Sequence, residues 1–167
     1  MPGSGKTTLG RALAKKLQRD FIDLDMYIQG RFCCSVSDLF ARRGEDGFRT
    51  IEHNMLHEVA EMEDVIVACG GGTPCFFDNM DYMLSKGTVW NLQADCKRLH
   101  ERLCRRRAHR PAIAAKTDEE ISAYIDELTA RRSEYYNRAH RTIESTELED
   151  RRSIDTAVAH CLTFLQE

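Results

Sequence analysis

The sequence predicts a three-layer α/β/α fold, with helices on both sides of a parallel sheet, and three observations carry that prediction. The chain opens on MPGSGKTT, a glycine-rich phosphate-loop pattern that runs straight into a helical period. Strand and helix periods then alternate to the end. VIVAC at 65–69 is continuously apolar, as a strand buried on both faces must be.

The elements follow in order. Residues 6–17 carry Leu9, Ala12, Leu13 and Leu17 at helical spacing, and FIDL at 21–24 reads as a short strand. Helical periods cover 36–43 and 49–62. The strand at 65–69 is stopped by Gly70, Gly71 and Gly72. A helix at 79–85, a strand at 88–92 (TVWNL), a basic helix at 96–107 and the longest helix at 119–138 come next. A weak strand at 141–144 and a helix at 150–165 close the chain. No repeat or linker interrupts the pattern, so 1–167 reads as a single domain with ligands at the carboxyl ends of the strands.

Composition narrows the function classes. A hydrophobic content of 42% supports one real core, and a net charge of −3 argues against a dedicated nucleic-acid binder. No apolar run approaches a membrane span or a signal peptide, and a cytoplasmic monomer is expected, without membrane or nucleic-acid partners. The seven cysteines form no CxxC pair and read as reduced, mostly buried thiols. His53 and His57 stand one helical turn apart. The metalloprotease pattern needs Glu directly after the first His, however, and Asn54 is there, so no metal site is read from the spacing.

The chemistry-bearing residues gather at predicted strand ends and at the loop. Gly5, Lys6 and Thr7 close GxxxxGK(S/T), and backbone NH groups from Gly3, Ser4 and Gly5 through Thr8 converge on a phosphate at a helix N-terminus. Lys6 is placed to neutralise the β and γ phosphates of a nucleotide, and the Thr7 hydroxyl to ligate Mg²⁺. Asp23 and Asp25 flank Leu24 at the end of FIDL, which puts both carboxylates on one strand face. One suits the water shell of Mg²⁺ and the other an attacking hydroxyl, although Asp is also a good helix cap. Three glycines in a row after a buried strand invite close approach by a ligand. Residues 97–110 hold seven Lys or Arg against the single Glu101. Lys97, Arg98 and Arg102 read as a solvated face, while Arg105, Arg106, Arg107 and Arg110 adjoin the Pro111 break and can close over a nucleotide.

Taken together, MPGSGKTT, FIDLD, GFRTIE, VIVACGGGTP, the RP of AHRPAI and RRSEYY, in that order and spacing, resemble shikimate kinase over essentially the whole chain. The resemblance implies a P-loop kinase fold with a five-stranded parallel sheet. The implied reaction moves the ATP γ-phosphate to the 3-hydroxyl of shikimate, a step of aromatic amino acid biosynthesis. It assigns Thr7 and Asp23 to Mg²⁺, Asp25 to the shikimate hydroxyls, and Arg49 and Arg132 to the shikimate carboxylate. Gly71 becomes a backbone contact to that substrate, and Arg110 the arginine of a lid around 105–117. Guanidinium forks suit a planar carboxylate, which agrees with the assignment.

Two departures accompany the resemblance. Ala68 and Cys69 stand where relatives often carry Ser or Thr. The strand that would feed the loop and its first glycine would precede Met1, so the expectation is an N-terminally shortened reading whose central strand lies upstream. Two other readings share these motifs: a gluconate-kinase-like enzyme, and an inactive ATP-binding scaffold. The pairing of Arg49 and Arg132 with Asp25 favours shikimate over both.

Overall fold

Asp23 ends one element and starts the next, and this placement sets the geometry of the functional edge. In the computed structural model, which describes residues 1–105, 107, 113–145 and 147–165, β1 (Asp20–Asp23) runs parallel to β2 (Val65–Ala68). Asp20 lies opposite Val65 and Asp23 opposite Ala68. A second parallel pair joins β3 (Trp90–Gln93) to β4 (Arg141–Glu144), with Trp90 opposite Arg141. Seven α-helices complete the described residues: α1 (Lys6–Leu17), α2 (Leu24–Phe32), α3 (Val36–Ala60), α4 (Asn79–Lys86), α5 (Cys96–Arg105), α6 (Asp118–Tyr136) and α7 (Arg151–Phe164).

Strand alternation assigns the helix layers. Ile66 packs into the cluster built by Leu9 and Leu13 of α1, Ile143 of β4, and Val158 and Cys161 of α7. Its neighbour Val67 joins Ile22 on the opposite face, in the cluster of Leu24, Ile28, Phe48, Leu56 and Val59 from α2 and α3. A third cluster joins Leu99 and Leu103 of α5 to Ile121, Ile125 and Leu128 of α6, with Met1 among them. Capping boxes at Ser35 with Asp38, Thr117 with Glu120, and Asp150 with Ser153 start α3, α6 and α7.

The structure corrects the sequence reading in three places. The Asp23 carboxylate accepts the Met26 N–H at 3.3 Å and caps α2, so the chain turns helical at Leu24 and the expected strand alternation through Asp25 does not form. The helical stretches at 36–43 and 49–62 are one run, Val36–Ala60, broken by the backbone of Gly44 at φ 67°, ψ −177°. The parallel sheet stands as two strand pairs, β1 with β2 and β3 with β4, and among the described residues no strand joins them, in keeping with the expected absence of a central strand. Between them lies a cavity of about 750 Å³, lined by residues 65–69, Trp90, Asn91, Leu92, Leu9, Leu13 and Met1. Of the seven unpaired cysteines Cys161 and the thiol of Cys69 are buried, Cys34, Cys75 and Cys104 are half-buried, and Cys33 and Cys96 are exposed. Among the described residues no helix is long and apolar enough to cross a membrane.

Candidate active site

The loop at the start of α1 owes its shape to two glycines with positive φ, Gly3 at 82° and Gly5 at 89°. L side chains rarely adopt that backbone. Ser4 between them is buried, and its hydroxyl donates to the Met1 carbonyl at 2.9 Å. The Lys6 ammonium folds back to donate to the same carbonyl at 2.7 Å. The Thr7 hydroxyl donates to Asp23 Oδ2 at 2.7 Å, so the two residues expected to share Mg²⁺ already meet. Asp23 therefore caps α2 with one oxygen and meets Thr7 with the other.

Parallel pairing of β1 and β2 brings the end of one strand, Asp23, beside the end of the other, Ala68 and the glycines. A pocket of about 310 Å³ opens there, with Gly3, Gly5, Lys6, Thr7, Thr8, Asp23, Asp25, Gly70 and Gly71 around it. Two cations enter from α5. Arg102, expected on a solvated face, is instead tied down: its Nη1 donates to the carbonyls of Gly3 at 3.2 Å and Ser145 at 3.1 Å, and its Nε to Glu149 at 3.0 Å. Arg105 also borders the pocket and remains largely exposed. Arg107 pairs with Asp118. Arg106 and Arg110 lie outside the described residues, as do 108, 109, 111 and 112 of the stretch expected to form the lid. Arg151 is almost wholly exposed and sits near Asp155, away from the pocket lining.

The three glycines are explained by what touches them. A Cβ on Gly70 would lie 3.0 Å from Glu52 Oε1 and 3.4 Å from Asp25 Oδ1. On Gly71 it would lie 2.9 Å from Arg132 Nη1, and on Gly72 2.9 Å from Arg49 Nη2. Each functional side chain therefore leans on one glycine, and a larger residue would evict it. Cys69, just before them, has its thiol pushed up to about 12 by burial and by the charge of Glu52.

Arg49 is held as a planar fork. Its guanidinium lies 4.1 Å from the Phe76 ring centroid, and Nη1 donates to Glu52 Oε2 at 2.7 Å. Nη2 reaches only the exposed Glu45, at 3.2 Å, and the buried Nε has no hydrogen-bond partner. Glu52 is the residue that sequence reasoning missed, although it sits inside the quoted GFRTIE. It is 1% exposed, and the Thr73 hydroxyl donates to its other oxygen at 2.6 Å. Tyr136 was also missed. Its hydroxyl donates to the Gly71 carbonyl at 2.6 Å, one helical turn beyond Arg132, and burial pushes its ionisation up so that it remains a donor. An acidic side chain three residues after Arg49, on the same helix face, was the available signal for Glu52. Tyr136 stood in RRSEYY with nothing to show which residue it would meet.

The described site thus places an anion-binding loop and two carboxylates around one strand-end cleft, with two half-buried arginines against the glycines beside it. The chain matches the family model "Shikimate kinase" over residues 2–165. It is 49% identical over 156 residues to a shikimate kinase of Phocaeicola vulgatus, covering 93% of this chain and 89% of that protein. Its fold superposes with a TM-score of 0.96 on the crystal structure of shikimate kinase from Bacteroides thetaiotaomicron, at 43% identity, covering 99% and 94% of the two chains. The shikimate kinase from Acinetobacter baumannii in complex with shikimate superposes at 0.84, with 30% identity over 98% of this chain and 88% of that one. With the GSGKT part of a phosphate loop, paired acids and paired arginines in family order, this chain belongs to the shikimate kinase family.

Proposed function

We propose that the protein transfers the γ-phosphate of ATP to the 3-hydroxyl of shikimate, giving shikimate 3-phosphate and ADP. The observation that carries this reading is Arg49, oriented by a buried carboxylate on one nitrogen while its other polar contact is an exposed, readily exchanged ion pair with Glu45. Substrate carboxylate can replace Glu45 at little cost. Arg132, against Gly71, supplies the second cation.

The ATP phosphates sit on the NH groups between Gly3 and Thr8, at the positive end of α1, with Lys6 swinging from the Met1 carbonyl to the phosphate oxygens. The oxygen donors Thr7 and Asp23, 2.7 Å apart beside that loop, fit a hard cation and are the residues that would hold Mg²⁺. When bound, Mg²⁺ offsets the charge of the β and γ phosphates. Asp25 accepts the proton of the substrate hydroxyl as its oxygen bonds to the γ-phosphorus and the bond to the β-phosphate bridge breaks. Arg102 braces the loop from behind through Gly3. A lid over 105–117 bearing Arg110 is carried from the family and excludes water during transfer. The reaction is placed in the cytoplasm, in a single-domain monomer.

Arg49→Lys and Arg132→Lys test the reading, because lysine cannot reproduce a bidentate fork. The KM for shikimate should rise while that for ATP stays within about twofold. Equal losses for both ligands would remove the carboxylate assignment.

A further inference from the structure

On the side of α3 turned toward α4, His53 and His57 meet Asp78, the residue just before α4. One ring nitrogen from each histidine and one Asp78 carboxylate oxygen lie within 4.8 Å of one another. Tetrahedral ligands held about 2.0–2.1 Å from a zinc ion stand about 3.4 Å apart, so small side-chain rotations close this set. Asp78 has that freedom, being 68% exposed; its Oδ1 lies 3.8 Å from His53 Nδ1 and has to swing along the ring edge to reach the Nε2 side.

The surroundings are those of an oriented ligand set. Asn79, fully buried, donates through Nδ2 to the Thr73 carbonyl at 2.7 Å, which fixes its amide and turns Oδ1 to His53 Nδ1, also at 2.7 Å. His53 therefore carries its proton on Nδ1 and its lone pair on Nε2. Metal-binding histidines characteristically have this kind of orienting partner. The His57 ring is held flat against Tyr82, 3.5 Å between centroids at 10°, and its Nε2 is buried with no hydrogen-bond partner. The nearby Lys86 charge is offset by Glu61 at 2.5 Å. None of the three residues lines the phosphate pocket.

We propose that His53, His57 and Asp78 bind one divalent transition-metal ion of the zinc, cobalt and nickel class, at a site distinct from the Thr7–Asp23 pair. Two imidazoles and one carboxylate suit such borderline cations, whereas Mg²⁺ demands oxygen ligands. Three protein ligands leave a fourth position open to water.

Cobalt(II) chloride titrated into the full chain tests this by visible absorption. One saturable equivalent with tetrahedral d–d bands, displaced by Zn²⁺, is expected. His57→Gln and Asp78→Asn should each weaken binding by at least about tenfold, as loss of a ligand outweighs the 10- to 100-fold typical of an orienting partner. Asp78→Asn, an exposed and isosteric change, decides the matter if His57→Gln fails to fold. Absence of a saturable site, unchanged affinity in the folded variants, or thiolate-to-cobalt charge-transfer bands placing the ion on cysteines would each overturn the proposal.

Discussion

Arg49 and Gly72 are packed so closely that a Cβ on the glycine would lie 2.9 Å from Nη2 and 3.1 Å from Cζ of the guanidinium. Gly72→Ala should therefore displace the fork from Phe76 and Glu52. A misplacement of about 1 Å can cost up to about 100-fold, and the loss should appear in kcat/KM for shikimate with ATP binding preserved. Steady-state kinetics in each substrate checks this. An unchanged shikimate KM would mean that the glycine serves only the turn.

Thr73 and Glu52 share a buried hydrogen bond of 2.6 Å. Thr73→Val keeps the shape but leaves a buried carboxylate oxygen short of a donor, which costs about 1–3 kcal/mol. At about 2–4 °C per kcal/mol for a domain of this size, the melting temperature should fall by about 2–12 °C. Thermal denaturation measures the change, and equal stability would contradict the assigned role of this bond.

The residues legible in the sequence were those whose chemistry is local. The phosphate loop, the apolar run of β2 and the paired acids all act within a few residues of their motif, and each lands at the pocket. Arg102 could not be read this way, since its partners Gly3 and Ser145 are far away in the chain and only tertiary packing turns it from solvent. The onset of α2 was hidden by competition: Asp23 is compatible with a strand end and with a cap, and the Met26 N–H decides for the cap. The glycines were legible as an invitation to close approach. What approaches was not, because Arg49, Arg132 and Asp25 come from three separate helices.

Cys69 borders the phosphate pocket, yet with its ionisation pushed up to about 12 it carries almost no thiolate at neutral pH. Iodoacetamide at pH 7.5 should label the exposed Cys33 and Cys96 and leave Cys69 unmodified, as read by peptide mass spectrometry. Labelling of Cys69 should begin only as pH climbs toward that value or the protein unfolds. Modification at the pace of Cys33 would contradict the burial argument.

The cavity between β2 and β3 exposes the facing edges of both strand pairs to an apolar slot. A chain extended ahead of Met1 by a short apolar strand and a glycine should fill it. Burying four apolar side chains at about 1.5–3 kcal/mol each supplies about 6–12 kcal/mol, enough to raise the melting temperature by at least about 10 °C. Equal melting temperatures with and without the extension would show that the slot takes no strand.

The central claim is phosphoryl transfer to shikimate with Asp25 receiving the hydroxyl proton, and ADP release by the full chain in ATP and Mg²⁺ tests it most directly. Shikimate should drive turnover and gluconate should not. Asp25→Asn should keep ATP affinity while losing about 10² to 10⁴ in kcat. Turnover with gluconate but not shikimate, or a near-normal rate in Asp25→Asn, would contradict the account.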